Sequence, residues 1–505
     1  MLAVARNSLT MFNASNMKSF IFTVLVCLST TSIFAQLASD VLRYSYLQPG
    51  GTARFMASGG AFTALGAEFS CLSQNPAGLA FYRTNELVLT PSLYFSKADA
   101  TLQGANISNQ DRRSNFGFDN FGMVFNTTPA NPKWKTFNIG LGVNRMNSYQ
   151  QSAFYEGTSS GSIVNALFDN ASATLQSGGT DADFDPFFSG MAYKAGGLYY
   201  QDNVFTSDFE GNRNALVKRS QQVNTYGRMN EMVLSFAGNY DEKLMVGATI
   251  GVPLVNYRLE SEYKETDDAG LVSYFDNLTY TDYLRTQGVG VNGKFGLIYK
   301  VSQAFRLGAS FHTPTFFGLT DSYSNTFEYS FTDNNGKKTS KESSPEGKSD
   351  YKLRTPWRAM AGASVVVKKY TSFSADVEVV DYSANNFNLT SKSTSVENQQ
   401  YERSLNTSVQ KIYKQAINLR FGTQISLGNF RIRGGLSMLG KPEQGKDGFN
   451  MAYSGGIGVR GDAYYLDLGY QRYTGVGSVS AYASAPTASL NTAKTNIALT
   501  LGFKF

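Results

Sequence analysis

The chain has few side chains suited to catalysis. Its one histidine, His312, follows Ser310 by two positions. A hydrolase needs a base beside its nucleophile and a third group to orient that base. No acidic residue stands at a telling spacing from this pair, so no enzyme activity is expected. One histidine and two cysteines, Cys27 and Cys71, make no metal-ligand cluster and give little axial supply for a haem, so no metal and no cofactor are expected. Arginine is the more promising residue type. Arg306, Arg358, Arg420, Arg431 and Arg433 interrupt apolar stretches at alternate positions, and a guanidinium can hold a carboxylate by two parallel hydrogen bonds. Arg306, Arg358 and Arg420 are the candidates for binding a ligand carboxylate. The competing assignment pairs these arginines with Asp376, Glu378 and Asp467. A third feature is Asn75-Pro76-Ala77-Gly78, in which Asn75 reads as a helix N-cap and Pro76 as the first helical residue.

The elements that carry these residues are strands. At the end of the chain Ile497, Leu499, Leu501, Phe503 and Phe505 are apolar at every second position, with Asn496, Ala498, Thr500, Gly502 and Lys504 between them. The same alternation runs through Phe137 to Asn144, Leu244 to Val252, Phe305 to His312, Phe373 to Val379 and Phe430 to Met438. One face carries almost no charge and the other carries Arg, Asp and Glu, as a strand between lipid and water requires. Strands are expected near 86–96, 114–126, 134–147, 229–240, 243–257, 287–300, 304–317, 353–368, 371–383, 416–427, 430–440, 451–461, 464–475 and 493–505. Each reaches the roughly 9–11 residues that a tilted strand needs to cross a bilayer. Short connections such as Asp241 and Glu242 alternate with long ones near 148–228, 258–286, 318–352 and 384–415. Short periplasmic turns and long outer loops are the barrel pattern. The fold class is therefore an all-β membrane protein: an antiparallel transmembrane β-barrel of about fourteen strands. Trp134 and Trp357 fall near strand ends, where an interfacial aromatic girdle belongs.

Composition agrees. Of 505 residues, 17% are charged, 14% are aromatic and 48 are glycine; ordinary soluble proteins carry roughly 25% charge. A mean hydropathy of −0.25 excludes a helical membrane protein. The net charge of +6 is dispersed rather than gathered in a basic stripe, which argues against nucleic acid as a partner. Lys18, the apolar run from Phe20 to Leu28 and small residues ending at Ala35 form an export signal. Met17 is the expected start, residues 17–35 the signal peptide, and residues 1–16 an upstream artefact. With Cys27 removed, the mature chain holds one thiol.

Residues 36–85 do not alternate and are rich in Gly and Ala, suited to packing inside a barrel as a plug with short helices; residues 86–505 form the barrel. The stretch Gly60-Ala61-Phe62-Thr63-Ala64-Leu65-Gly66-Ala67, followed by Gln74-Asn75-Pro76-Ala77-Gly78-Leu79, resembles the amino-terminal hatch of the FadL/TodX family. Weaker likeness runs through Gly247-Ala248-Thr249-Ile250-Gly251-Val252-Pro253, Arg306-Leu307-Gly308-Ala309-Ser310-Phe311, Thr355-Pro356-Trp357 and Asp381-Tyr382-Ser383. That family builds fourteen-stranded outer-membrane barrels closed by a hatch, which take up long-chain fatty acids or aromatic hydrocarbons. The resemblance implies passive uptake of a hydrophobic small molecule in the outer membrane of a Gram-negative bacterium. An outer groove captures the ligand, a pocket receives it, and a hatch movement releases it sideways past a kinked third strand.

On this reading Asn75, Pro76, Ala77 and Gly78 are the hatch motif. Gly140 and Gly142, on the third strand, are the lateral-opening candidates. The longest outer loop departs from the family pattern. It holds an amphipathic helix over Ser162 to Ala173, and Phe184, Phe187, Phe188 and Met191 are its capture candidates. The expected partners are the hydrophobic ligand, outer-membrane lipid and lipopolysaccharide, and the barrel assembly machinery; the protein is expected to act as a monomer. The rival is a general or anion-preferring diffusion porin, followed by an outer-membrane hydrolase and a haem receptor.

Overall fold

The computed structural model describes residues 41–368, 370–389 and 396–505. The expected signal peptide and the first residues of the expected hatch lie outside these. Fourteen strands close into one antiparallel barrel. They are β1 (Glu86–Leu102), β2 (Ser108–Thr127), β3 (Trp134–Ser148, resuming as Gln151–Ser160), β4 (Leu216–Tyr240), β5 (Leu244–Thr266), β6 (Phe275–Lys300) and β7 (Phe305–His312, resuming as Phe316–Asp333). There follow β8 (Gly347–Arg354, resuming as Arg358–Val367), β9 (Thr371–Asp381), β10 (Gln415–Leu427), β11 (Phe430–Gly440), β12 (Phe449–Arg460), β13 (Tyr464–Val479) and β14 (Ala488–Lys504). β14 pairs back onto β1, from Lys504 opposite Glu86 to Ala488 opposite Leu102. Closure removes the free edges that would otherwise face lipid unpaired, which is why a membrane-spanning sheet must close.

The alternation decides facing. Leu499 is 36% exposed and Thr500 is 0% exposed, one on each side of β14. Phe305, Leu307 and Phe311 on β7, Phe373 and Val377 on β9, and Phe430 and Ile432 on β11 all point outward, while His312, Asp376, Glu378 and Arg433 are buried inside.

Several strands run further than their alternation suggested. β4 has 25 residues, β5 has 23 and β6 has 26, more than twice the length needed to span lipid. Much of the expected loops at 148–228, 258–286 and 318–352 is therefore strand. Past the lipid boundary the outward positions of β5 carry Arg258, Glu260, Glu262 and Lys264 while Tyr257, Ser261 and Tyr263 stay buried. The ladder continues, but the uncharged face that marked it has ended. Trp357 stands at that boundary: it lies in the break of β8, below the exposed Lys352 and Arg354, and stacks on Phe311. Pro314 and Pro356 interrupt β7 and β8 side by side, because neither has an N–H to give to the ladder. Thr355 N–H donates to the Thr315 carbonyl at 3.0 Å across the paired breaks.

The outer loop between β3 and β4 carries a helix, Ile163–Gln176, capped by Ser162, three residues longer than its amphipathic pattern. It buries Ile163, Val164, Leu167 and Ala171 against Phe275, Leu278 and Phe327 from the extended strands, closing the outer mouth with one apolar core. A second helix, Val396–Ile412, lies over the loop between β9 and β10.

Candidate functional site: a plugged lumen beside a split wall

Residues before β1 fill the barrel. Three short helical turns order them: Ala53–Ala57 capped by Thr52, Phe69–Ser73 capped by Glu68, and Pro76–Phe81 capped by Asn75. The caps are linked, since the Thr52 hydroxyl donates to Glu68. Asn75 is fully buried and works in two directions. Its Oδ1 accepts from Ala77 N–H at 3.1 Å. Its Nδ2 donates to the Thr63 carbonyl at 2.6 Å and to the Leu297 carbonyl of β6 at 3.2 Å. The motif thus caps a turn and ties the hatch to the wall. Gly78 N–H closes the same turn on the Asn75 carbonyl at 3.0 Å, and Gly78 packs against Cys71.

The wall receives the hatch through a belt of inward-facing glycines. A Cβ at Gly296 would strike Asn75, at Gly247 Pro76, at Gly308 Thr63, at Gly435 Ser58 and Gly59, and at Gly469 Ala53. These glycines belong to five different strands, so the backbone of the hatch touches the wall nearly all the way round. In the sequence they are only small residues between apolar ones. The signal was present in their recurrence on the water-facing side, where an open channel would carry polar side chains. Polar anchors complete the dock. Thr63 N–H and hydroxyl both donate to Asp376, at 2.9 and 2.8 Å. The Ser310 hydroxyl and His312 Nε2 donate to the Gln74 carbonyl at 2.6 and 2.7 Å. The one histidine and its neighbouring serine are thus hatch fasteners.

Against the hatch lie two adjoining cavities, a larger and a smaller, each with only about 40 Å³ of free interior, sharing Leu47, Met146, His312 and Arg358 in their walls. Arg358 and Arg420 both line the larger one, and both hold Glu378, Arg358 at 2.7 Å. Asp376, opposite Arg420 on β9, balances the second guanidinium, and Arg420 Nη1 has no hydrogen-bond partner. Arg306 is elsewhere. It donates to the Leu65 carbonyl at 2.9 Å and lies 4.8 Å over the Phe81 ring, at the periplasmic end of the plug. Arg433 pairs with Asp467 at 2.7 Å, and Arg431 turns to the carbonyls of Gly428 and Phe430.

Beside the cavity the wall splits. β2 and β3 pair only from Thr127 opposite Phe137 to Asn120 opposite Asn144. Beyond that rung, residues 108–118 of β2 keep β1 as a partner but have no strand on the other side among the described residues. β3 breaks at Tyr149 and Gln150, and Gly227, with φ of +101°, gives β4 the matching bend. The second segment of β3 then runs inside the wall, where Ala153 and Tyr155 pack on Ala98, Ala100 and Leu102 of β1 and on Leu490 of β14. Gly140 and Gly142 lie below the split, in the paired part. A Cβ on Gly140 would meet Leu72, and one on Gly142 would meet the Phe121 carbonyl. The seam is bridged by side chains only: Ser152 to Asp111 at 2.6 Å, Gln222 to Asp111 at 2.8 Å, and Arg113 to Gln150 at 3.0 Å.

Of the capture candidates, Phe184 and Met191 are buried within the outer-loop core, while Phe187 and Phe188 are half-buried at its edge. Phe187 lies 5.1 Å from Tyr323 of β7, and Phe188 lies 6.4 Å from Tyr280 of β6. They are spread between the loop interior and its rim rather than gathered in one groove. Among the described residues no group of histidine, cysteine and carboxylates could hold a metal ion.

A closed fourteen-stranded barrel with an internal plug, a cavity and a split wall defines an outer-membrane type of barrel. No protein-family model matches the sequence, and no curated protein matches it. Among solved structures the chain is similar to a FadL homologue of Pseudomonas aeruginosa, at 11% identity over 91% of this chain and 100% of that one, with a TM-score of 0.54. It is also similar to the toluene transporter TodX of Pseudomonas putida, at 13% identity over 90% of this chain and 99% of that one, with a TM-score of 0.51. At these identities the likeness is one of fold, and at that level the resemblance drawn from the hatch motif holds.

Proposed function

We propose that this protein is a passive outer-membrane channel for hydrophobic small molecules, exported by its signal peptide and gated by its hatch. The observation that carries this reading is the end of the β2–β3 ladder beside the cavity. A hydrophobic molecule that leaves a cavity through the wall enters lipid, where its apolar surface is stabilised by about 25 cal/mol per Å² relative to water. It has no need of an aqueous path to the periplasm. The class of ligand is that of a long-chain fatty acid or an aromatic hydrocarbon; for the former, Arg420 Nη1, which has no hydrogen-bond partner, is the donor left for the ligand carboxylate. Capture falls to the outer-loop rim around Phe187 and Phe188.

The rival, a diffusion porin, needs an open lumen. The glycine belt opposes it, since wall glycines on five strands that let the hatch backbone come into contact would serve nothing around a plug that did not seal. Single-channel recording in planar bilayers tests this. The intact protein is expected to give no open-pore steps, and removal of residues 41–80 to produce them in a barrel that still folds. Open-pore steps from the intact protein would favour the porin.

A further inference from the structure

The outer parts of β5 to β8, with the hairpin strand Gly336–Ser343 between the last two, carry two kinds of surface cation. Far from the lipid boundary each is matched. Lys264 pairs with Glu262 at 2.7 Å and Lys338 with Asp333 at 2.6 Å, while Lys337 and Lys341 face Asp276 and Glu328 at 3.7 and 3.8 Å. Nearer the boundary the matching stops. Arg285 of β6 and Lys348, Lys352 and Arg354 of β8 are exposed, and among the described residues none of these side chains makes a hydrogen bond or an ion pair.

Strand register places the four together. Arg285 pairs with Ser322 of β7 and Ser322 with Lys348, so the two cations share a rung. Two ladder spacings separate them, about 10 Å. On its other side Arg285 stands directly opposite Arg258 of β5, and like charges so placed destabilise a sheet. Arg258 is answered by Glu260 at 3.4 Å and by the Tyr226 ring at 4.2 Å; Arg285 has neither. Along β8, Lys348, Asp350, Lys352 and Arg354 take alternate exposed positions, with Tyr351 and Leu353 buried between the last three. Asp350 is the carboxylate in that row, and the Thr320 hydroxyl donates to it at 2.6 Å. The adjoining short strand, Asn386–Leu389, sets Asn388 beside Lys352 and Asn386 beside Arg354, amides rather than acids.

The lipid face begins at the same place. Arg354, Phe316 and Val291 share one rung, and Val289 lies on the next outward position of β6. Phe316, Val289 and Val291 are exposed. A net positive strip thus runs along the upper edge of an apolar wall. A soluble anion would use the cations alone. An amphiphile with phosphates above its acyl chains uses both.

We propose that Arg285, Lys348, Lys352 and Arg354 dock one phosphorylated glycolipid of the outer leaflet, of the lipid A class. Its phosphates are shared among the cations, and its acyl chains lie on Phe316, Val289 and Val291. The lipopolysaccharide partner thereby gains a place on the barrel. The site needs only the barrel's seat in the membrane, so it stands whether or not a hydrophobic ligand is taken up.

Equilibrium binding of radiolabelled bisphosphorylated lipid A to the detergent-solubilised protein tests it. Arg285→Gln, Lys348→Gln, Lys352→Gln and Arg354→Gln together should weaken binding at least about tenfold, each cation being drawn to anionic headgroups. Lys264→Gln, Lys337→Gln, Lys338→Gln and Lys341→Gln together remove the same charge from matched positions and should leave binding unchanged. Lipid A stripped of its phosphates should bind the wild type at least about tenfold more weakly, and binding should weaken as salt rises from about 0.05 to 0.5 M. Both variants should keep the heat-modifiable folded band; if the boundary variant loses it, Arg285→Gln with Lys352→Gln takes its place. Equal binding by wild type and boundary variant would overturn the proposal, as would equal losses in the two variants or equal binding of the stripped lipid. Full displacement by inorganic phosphate would reduce the strip to an anion site and overturn its assignment to a glycolipid.

Discussion

Asn120 of β2 and Asn144 of β3 form the last rung between their strands, and their side chains repeat the bond, Asn120 Nδ2 donating to Asn144 Oδ1 at 2.7 Å. Asn144 Nδ2 also donates to the Ser73 hydroxyl of the hatch at 2.9 Å. The pair marks where an ordinary barrel wall stops and a plugged, divided one begins. Asn144→Ala should leave the barrel folded, at a cost of about 1–3 kcal/mol for the unpaired groups, and should lengthen the split. Hydrogen exchange would rise at residues 120–123 of β2. No change there would mean that the rung is held by its backbone alone.

Lipid facing gives a sharper test of the barrel itself. Leu499 points outward while Thr500 accepts from Ala53 N–H at 2.7 Å. Leu499→Arg should cost about 2–4 kcal/mol of barrel stability, visible as loss of the heat-modifiable folded band. Thr500→Val should keep that band and loosen only the hatch. Equal effects on folding would contradict the facing.

The Asn75 turn should act on the gate and not on the wall. Asn75→Ala removes a cap worth about 1 kcal/mol and strands the carbonyls of Thr63 and Leu297. Folding is expected to survive, and uptake of radiolabelled oleate to change several-fold at equal surface expression, since a shift of that size moves a two-state equilibrium by that much. Unchanged uptake would reduce the motif to a helix cap.

Much of this architecture was legible in the sequence, for a physical reason. Lipid tolerates no charge, so strands such as β7, β9 and β14 announce themselves by one uncharged face. The outer halves of β4, β5 and β6 were read as loop because water lies on their outer side and removes that contrast. The arginines show the limit of facing alone. Arg306, Arg358 and Arg420 all point inward, yet only the last two reach the cavity, because height along the barrel is set by register. The split was invisible for a similar reason. It follows from a bend at Tyr149 and Gln150 and from Gly227, φ +101°, on the neighbouring strand, and all three lie within 148–228, where no alternation marks a strand. The glycines chosen from sequence, Gly140 and Gly142, serve close approach to the hatch and to β2.

The outer cap should respond to pH. Burial pushes the Asp282 carboxyl up to about 7, an effect the Tyr280 hydroxyl on the same strand offsets only in part. Its value in an unfolded chain is about 3.9. A carboxyl raised on folding stabilises the folded form most fully below its unfolded value, and that contribution is lost as pH rises through the folded one. Protection of residues 275–285 against hydrogen exchange, corrected for intrinsic rate, should therefore fall between about pH 4 and pH 7 and level off above. Asp282→Asn should flatten the profile. A profile that is flat in the wild type would exclude this carboxyl as the sensor.

What crosses the membrane, and under the control of which segment, decides the function. Cells expressing the protein should accumulate radiolabelled toluene or oleate faster than cells expressing, at equal surface levels, a Gly50→Cys, Asp119→Cys variant oxidised so that a disulfide fastens the hatch to β2, and reduction should release that block. Accumulation of both probes at the same rate in cells with and without the protein would contradict it.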